Sequence, residues 1–257
     1  MTLPFGWPLV RLDVTGSTMD DALVLARLGA RHGTTVVAGE QTAGRGRSDR
    51  RWETPPNTAL LMSVILRPGL PMHALSPLSM LAAVAVRETA LACGVADADI
   101  RIKWPNDVLI RGRKVCGILA RTHQLVSGES PAVAVVVVVL GMGLNVNVPM
   151  EALPESAISL SGVLGRTFDL DAVRETLLHS LDRAVQALIA DDLDGPLTAL
   201  DLVLAYRGES VDVQDGDRMV SGVLLGVERT GALVLEVDGR RETIVSGDLT
   251  RGPRPRR

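Results

Sequence analysis

Two lysines set inside apolar runs constrain this chain more than any other feature. Lys103-Trp104-Pro105-Asn106-Asp107 follows Ile100-Arg101-Ile102, and Lys114-Val115-Cys116-Gly117-Ile118-Leu119 comes one short turn later. Apolar neighbours on both sides place each lysine at or beside a strand. An unpaired buried charge is very costly, so a fold that aims both lysines at one region needs an anion there. Pro105 keeps the backbone extended at Trp104, while Asn106 and Asp107 suit a turn. A plain strand corner with Lys103 reaching water, and an outward Lys114 on a hairpin, are the alternatives. Under strand alternation Lys114 and Cys116 share a face, and Gly117 leaves room there for a ligand.

Upstream, Glu40 to Trp52 packs Arg45, Arg47, Arg50 and Arg51 around Gly44 and Gly46. Glycine lets backbone approach a ligand closely, and arginine supplies forked donors for phosphate or carboxylate. A solvated basic turn is the dull alternative. Without a ligand, so much like charge should repel itself and stay mobile; a bound anion would order it. Gly141 and Gly143 likewise mark close backbone approach, to a ligand or to a neighbouring strand. Together these segments point to chemistry on a phosphate or an activated carboxylate.

The remaining composition narrows the class. A length of 257 residues allows one large domain, or one with a small appendage. A net charge of −3 argues against a general nucleic-acid binder. Aromatic residues are so scarce that Trp7, Trp52 and Trp104 each stand out as a possible stacking surface or a core filler. Cys93 and Cys116 read as reduced thiols in a cytoplasmic protein. Met1 to Val10 lacks the basic start of a signal peptide. The longest apolar run, Ala132 to Leu140, is far below the roughly 20 residues that span a bilayer, so it reads as a buried strand, internal or at a dimer edge. His32, His73, His123 and His179 show no metal spacing.

The order of elements is legible. Ser17-Thr18 caps an amphipathic helix running towards Gly33. Strands are expected at Thr35–Ala38 and Thr58–Leu66, with the basic loop between. A long helix covers His73–Cys93, with Pro77 in its first turns, and stops at Gly94. Strands follow at Ile100–Trp104, Val108–Ile110 and Lys114–Arg121, then the valine run and a short strand to Val148. Helices occupy Leu170–Ala190 and Pro196–Tyr206. From Arg207 the pattern changes to short strands, Ser210–Val213, Val220–Val227, Leu233–Val237 and Glu242–Val245, which fits a small barrel. The expected division is 1–206, 207–252 and a disordered basic tail at 253–257.

Gly44-Arg45-Gly46-Arg47…Arg50-Arg51-Trp52, Lys103-Trp104-Pro105-Asn106-Asp107, Lys114…Gly117-Ile118-Leu119 and Gly141…Gly143-Leu144-Asn145-Val146-Asn147 occur in this order and spacing in biotin protein ligases. From about Ser17 to the small barrel, the chain resembles that family. The resemblance implies an α+β fold: a catalytic domain like the class II aminoacyl-tRNA synthetase core, a mixed sheet flanked by helices, with an SH3-like barrel behind it. No room for a DNA-reading domain before Ser17 implies the monofunctional form. The implied activity couples biotin to ATP as biotinyl-5′-AMP, then transfers biotin to one lysine of a biotin carboxyl carrier domain of a biotin-dependent carboxylase. Neither nucleic acid nor membrane would be a partner, and the protein would be a monomer or homodimer.

Matching positions imply catalytic roles for Lys114, Arg47, Lys103 and Asp107. Ser17, Thr18, Gln41, Gly44, Arg45, Arg47, Lys114 and Gly117 would hold biotin. Arg47, Arg50, Trp52, Lys103, Asn106, Lys114 and Asn145 would hold ATP, with Trp52 stacking on adenine. Mg²⁺ would be carried mainly by the phosphates and water. One departure is Asp49, where the family usually has glycine; pairing with a neighbouring arginine is the expected outcome. Alternatives are a lipoate or octanoate ligase or transferase of the same fold, a biotin-responsive regulator, and a catalytically dead nucleotide binder.

Overall fold

The computed structural model describes residues 5–47, 50–127 and 133–252. Asp49, Ala132 and the tail at 253–257, about which expectations were formed, lie outside the described residues. A seven-stranded mixed sheet organises the larger part. Its strands are β1 (Leu9–Thr15), β2 (Thr35–Gln41), β3 (Ala59–Leu66), β4 (Ile100–Lys103), β5 (Asp107–Ile110), β6 (Arg113–Ser127) and β7 (Val133–Asn145). Their order is β1-β2-β3-β7-β6-β5-β4. Only β1 and β2 run parallel; the other neighbours are antiparallel. The valine run is therefore internal from Val138 onward, where β7 is paired on both edges, by β3 and β6, which removes it as a dimer edge there. β1 is a strand the sequence reading did not propose.

Helix α1 (Thr18–Arg27) covers one face of this sheet. Met19, Ala22 and Ala26, spaced three and four apart, bury one stripe against Val36, Ile65, Val137 and Val139. The helix ends well before Gly33, because Gly29 takes a left-handed φ of 88°. Gly29 N–H then donates to Ala26 O, and Ala30 N–H to Leu25 O, a Schellman closure. Ser17 occupies the N-cap but makes no side-chain cap bond; it is buried, beside Thr18, whose polar atoms meet Gln41 instead.

The opposite face carries α2 (Leu78–Ala92), α4 (Leu170–Ile189) and α5 (Asp194–Val203); a short α3 (Leu160–Leu164) lies between β7 and α4 in the chain. The single long helix expected over His73–Cys93 is divided. Met72–Leu75 forms a 3₁₀ turn, Pro77 sits at the N-cap, and α2 begins at Leu78. Proline lacks the N–H an interior helical position must donate, so the helix starts after it. By length and composition the stretch Met72–Ala92 could cross a bilayer, yet 67% of its most apolar window is buried inside the protein.

Strands β8 (Ser210–Asp215), β9 (Arg218–Val227), β10 (Leu233–Val237), β11 (Arg240–Ile244) and β12 (Asp248–Arg251) form a separate antiparallel sheet, ordered β11-β10-β9-β8-β12. Val211, Val213, Leu224, Leu233, Leu235 and Leu249 join the same hydrophobic core as α2 and α4. Trp104, 1% exposed, fixes the two parts together: its Nε1–H donates to Gly231 O at 3.0 Å. A Cβ on Gly231 would lie 2.8 Å from Pro77 Cα, so the β9–β10 turn abuts the start of α2. Trp104 is thus a core anchor and offers no stacking surface.

Candidate active site

The start of α1, the ends of β2, β6 and β7, the basic loop, the Lys103–Asp107 corner, the segment 152–157 and β12 enclose a cavity of about 740 Å³. That lies within the roughly 300–1,000 Å³ usual for small-molecule sites. Every residue given a biotin, ATP or catalytic role above except Gly44 lines it: Ser17, Thr18, Gln41, Arg45, Arg47, Arg50, Trp52, Lys103, Asn106, Asp107, Lys114, Gly117 and Asn145. Gly44 works at the loop's base. A Cβ there would lie 2.3 Å from Trp52 O, the carbonyl of a residue whose N–H donates to Gly44 O.

The floor is a strip without side chains. Gly117 on β6 is paired with Gly143 on β7, and the Trp52 ring lies against both. A Cβ on Gly143 would fall 2.5 Å from Trp52 Cε2, and one on Gly117 would fall 3.0 Å from Trp52 Cζ3. Trp52 Nε1 and Asn145 Oδ1 are buried with no hydrogen-bond partner among the described residues. Asn145 is held by donating from Nδ2 to Ile158 O at 3.1 Å. An unpaired donor and an unpaired acceptor beside an aromatic face suit a purine, which offers both functions at its edge and a π-face.

Lys114 reaches this floor through a bulge. Val108 opposes Cys116 while Leu109 opposes Lys114, so β6 has one extra residue, Val115. Simple alternation therefore fails: Cys116 turns into the core, and burial pushes its thiol pKa far up. Lys114 instead joins Gly117 over the floor. Its Nζ lies 2.6 Å from Asp107 Oδ1 and 5.4 Å from the Trp52 ring centroid. The short contact to Asp107 is an ion pair without the alignment of a hydrogen bond, since Oδ1 gains no such partner. Backbone bonds clamp Lys114 as well: its N–H donates to Ser156 O and its carbonyl accepts from Ile158 N–H.

Lys103, at the end of β4, has its pKa lowered by burial, with Asp107 working in the opposite direction and Lys114 adding to the lowering. Asn106 is a brace: Nδ2 donates to Ile118 O at 2.8 Å, and Oδ1 lies 3.5 Å from Arg47 Nη1. Six cationic side chains, Arg45, Arg47, Arg50, Arg51, Lys103 and Lys114, thus line one cavity with three carboxylates among them, Glu53, Asp107 and Asp248.

Asp248 was not foreseen. Its carboxylate meets Arg50 at 2.5 Å and Arg47 at 3.6 Å, and Arg47 Nη2 also donates to Gly247 O. On the other side of the loop Arg45 pairs with Asp20 at 2.7 Å. The loop closes on itself, with Arg45 bridging to Arg51 and Gly46 N–H donating to Arg50 O. At the far end of the cavity Thr18 N–H and hydroxyl both approach Gln41 Oε1, at 2.9 and 3.1 Å, and Thr18 Oγ1 lies 2.8 Å from Ser63 Oγ. The sequence reading also missed Met19, Ser63 and the 152–157 segment. Met19 and Ser63 carried only an apolar-helix and a buried-strand signal, and 152–157 acts through backbone, which leaves no side-chain signature.

Comparison with known proteins gives a consistent picture. The profile of the biotin/lipoate A/B protein ligase family matches residues 12–142. The biotin--[acetyl-CoA-carboxylase] ligase of Mycobacterium tuberculosis is 35% identical, over 95% of this chain and 89% of that protein. The enzyme of the same name from Paracoccus denitrificans is 34% identical, over 91% and 97%. The bifunctional ligase/repressor BirA of Bacillus subtilis is 33% identical, over 96% and 75%. The solved biotin protein ligase from Aquifex aeolicus, in complex with biotin and ATP, superposes with a TM-score of 0.78 at 24% identity, covering 95% of this chain and 99% of that one. That last likeness speaks to fold.

Proposed function

The chain belongs to the biotin/lipoate A/B protein ligase family, and on that premise we propose that it is an ATP-dependent biotin–protein ligase. It activates biotin as biotinyl-5′-AMP and passes the biotinyl group to a lysine of a carboxyl carrier domain. The observation that carries this reading is the cavity with opposite ends. Neutral hydrogen-bonding groups, Thr18 with Gln41 and Ser63, stand by Gly141, and Lys114 stands by Trp52 and Gly117 with Lys103 close to it and Arg47 and Arg50 meeting on Asp248. A urea-type ring fits the first end and an acid the second. Lipoate offers no urea for Thr18 and Gln41 to meet, and the relatives named above are biotin ligases.

The chemistry follows from charge. A carboxylate oxygen of biotin attacks the α-phosphorus of ATP; the new P–O bond forms as the bond to pyrophosphate breaks. Two anions must be brought together, and negative charge develops on the phosphoryl oxygens. Lys114, held by the bulge and by backbone bonds, neutralises both the acid and the α-phosphate. Arg47, Arg50 and Lys103 take the remaining phosphate oxygens. Trp52 and Asn145 hold the adenine, with the unpaired Nε1–H and Oδ1 as its edge partners. In the second half-reaction a lysine amine attacks the acyl carbon, AMP leaves with the bonding electrons, and the amine gives up a proton. Asp107, beside Lys114, orients these cations.

Among the described residues no three His, Cys, Asp or Glu side chains cluster in a way that holds a metal. A divalent cation would ride on the nucleotide's phosphates and water, supplying further charge neutralisation. Residues 1–206 form the catalytic unit in this reading, and residues 207–252 close over the nucleotide through Asp248. The decisive test is biotin-dependent exchange of labelled pyrophosphate into ATP, followed by transfer to a carrier domain. Exchange that proceeds equally well in Lys114→Met removes Lys114 from the mechanism. A protein that never turns over ATP when given biotin removes the reading.

A further inference from the structure

We propose that Met19 sets the size limit at the ring-binding end of the cavity by filling the space that Gly141 leaves open. The proposal rests on reading that cavity as a biotin site. Met19 is the second residue of α1 and 6% exposed. A Cβ on Gly141 would lie 2.7 Å from Met19 Sδ and 2.8 Å from its Cγ. Gly141 is paired with Ser63 on β3 and with Leu119 on β6. Its backbone is held from both edges and cannot retreat.

The floor glycines then run between two fixed ends. Gly141 and Gly143 point to one face, about 7 Å apart at the spacing of strand residues. The thioether of Met19 stands over the first and the indole of Trp52 over the second. Neutral polar groups cluster at the Met19 end: Thr18 precedes Met19, and Ser63, the strand partner of Gly141, meets Thr18 Oγ1. Cations cluster at the Trp52 end, where Lys114 lies 5.4 Å from the ring. An acid with a small uncharged ring fits this cavity in one direction, ring towards Met19. Methionine is unbranched and adapts to irregular gaps, and its thioether competes for no hydrogen bond of the ring. Cutting it back to alanine removes three heavy atoms and opens apolar depth against Gly141.

The test compares kcat/KM for pyrophosphate release with biotin and with biotin sulfone, whose ring sulfur carries two extra oxygens. Wild type, Met19→Ala, Met19→Leu and Gly141→Ala are measured side by side. The sulfone-to-biotin ratio rises at least tenfold in Met19→Ala and stays within threefold of wild type in Met19→Leu. Gly141→Ala pushes the thioether further into the cavity and lowers the ratio at least threefold. A ratio in Met19→Ala equal to wild type overturns the proposal. Should that variant not fold, an unchanged ratio in Gly141→Ala overturns it equally. Both results leave the biotin reading standing, provided wild type activates biotin; a wild type inactive on biotin overturns that reading first.

Discussion

Replacing Gly143 by alanine tests whether the floor is built for a stacked indole. The added Cβ would fall 2.5 Å from Trp52 Cε2 and 2.7 Å from its Nε1, where carbon atoms rest at roughly 3.5–4.0 Å. Gly143 is paired with Leu61 and Gly117, so the sheet holds and the indole moves outward by about 1 Å. Trp52 is half-buried and can swing, so the cost to folding stays near the low end for overpacking, about 1 kcal/mol. Binding suffers more. Base–aromatic stacking is worth about 1–3 kcal/mol, which converts to about 5- to 150-fold in affinity. We expect KM for ATP to rise at least tenfold in pyrophosphate exchange at saturating biotin. Trp52→Ala should match it, and the double variant should be no worse than Trp52→Ala alone. A rise below threefold, or free energies that simply add, would refute the argument.

Three further outcomes follow from the same geometry. Arg47→Gly removes the basic loop's contacts to Gly247 and Asp248, so biotinyl-adenylate should escape; incubation with biotin, ATP and a bystander protein should label bystander lysines well above wild type, and equal labelling shows that these contacts do not retain the adenylate. Lys103 has its pKa lowered from 10.5, chiefly by burial, so it loses its charge as pH rises at a lower pH than an ordinary lysine. The alkaline limb of pyrophosphate exchange should therefore move upward in Lys103→Arg, and a limb that does not move assigns it to another group. His32 has its pKa lowered from 6.5 by burial, and its Nδ1 accepts from Arg67 N–H at 2.9 Å. The folded state keeps it neutral, so its contribution is present above the ordinary value and is lost as pH falls through the lowered one. Thermal unfolding between about pH 7 and 5 should depend less on pH in His32→Gln.

What the sequence made legible divides by the kind of signal. Most sheet strands announced themselves through apolar runs, and the glycines, lysines and arginines of the site through composition that no core requires. Besides β1 and the cavity residues named above, other features stayed hidden. The bulge at Val115 shifts register by one residue, and no local pattern marks it, so Lys114 was read onto the face of Cys116 when it shares a surface with Gly117. The division of the helix at Pro77 was written in the sequence, but the apolar periodicity on both sides outweighed it. β12 has four residues with only Leu249 fully buried, too little alternation to read, and with it Asp248 was missed.

That last omission matters most, because it changes how the basic loop is understood. Like charge alone argues for a loop that repels itself until an anion arrives. Here the protein supplies carboxylates of its own, Asp20 to Arg45 on one side and Asp248 to Arg50 and Arg47 on the other. All of these groups are partly exposed, so each pair contributes about 1 kcal/mol or less. Such pairs are strong enough to bias the loop towards a folded arrangement and weak enough for a triphosphate to outcompete. Asp248 comes from the second sheet, 198 positions from Arg50 in the chain. Exchange of its carboxylate for phosphate would therefore couple nucleotide binding to how tightly residues 207–252 hold the loop. The sequence could not show this, since the partners are far apart and the coupling exists only once Trp104 and Gly231 have docked the two sheets together.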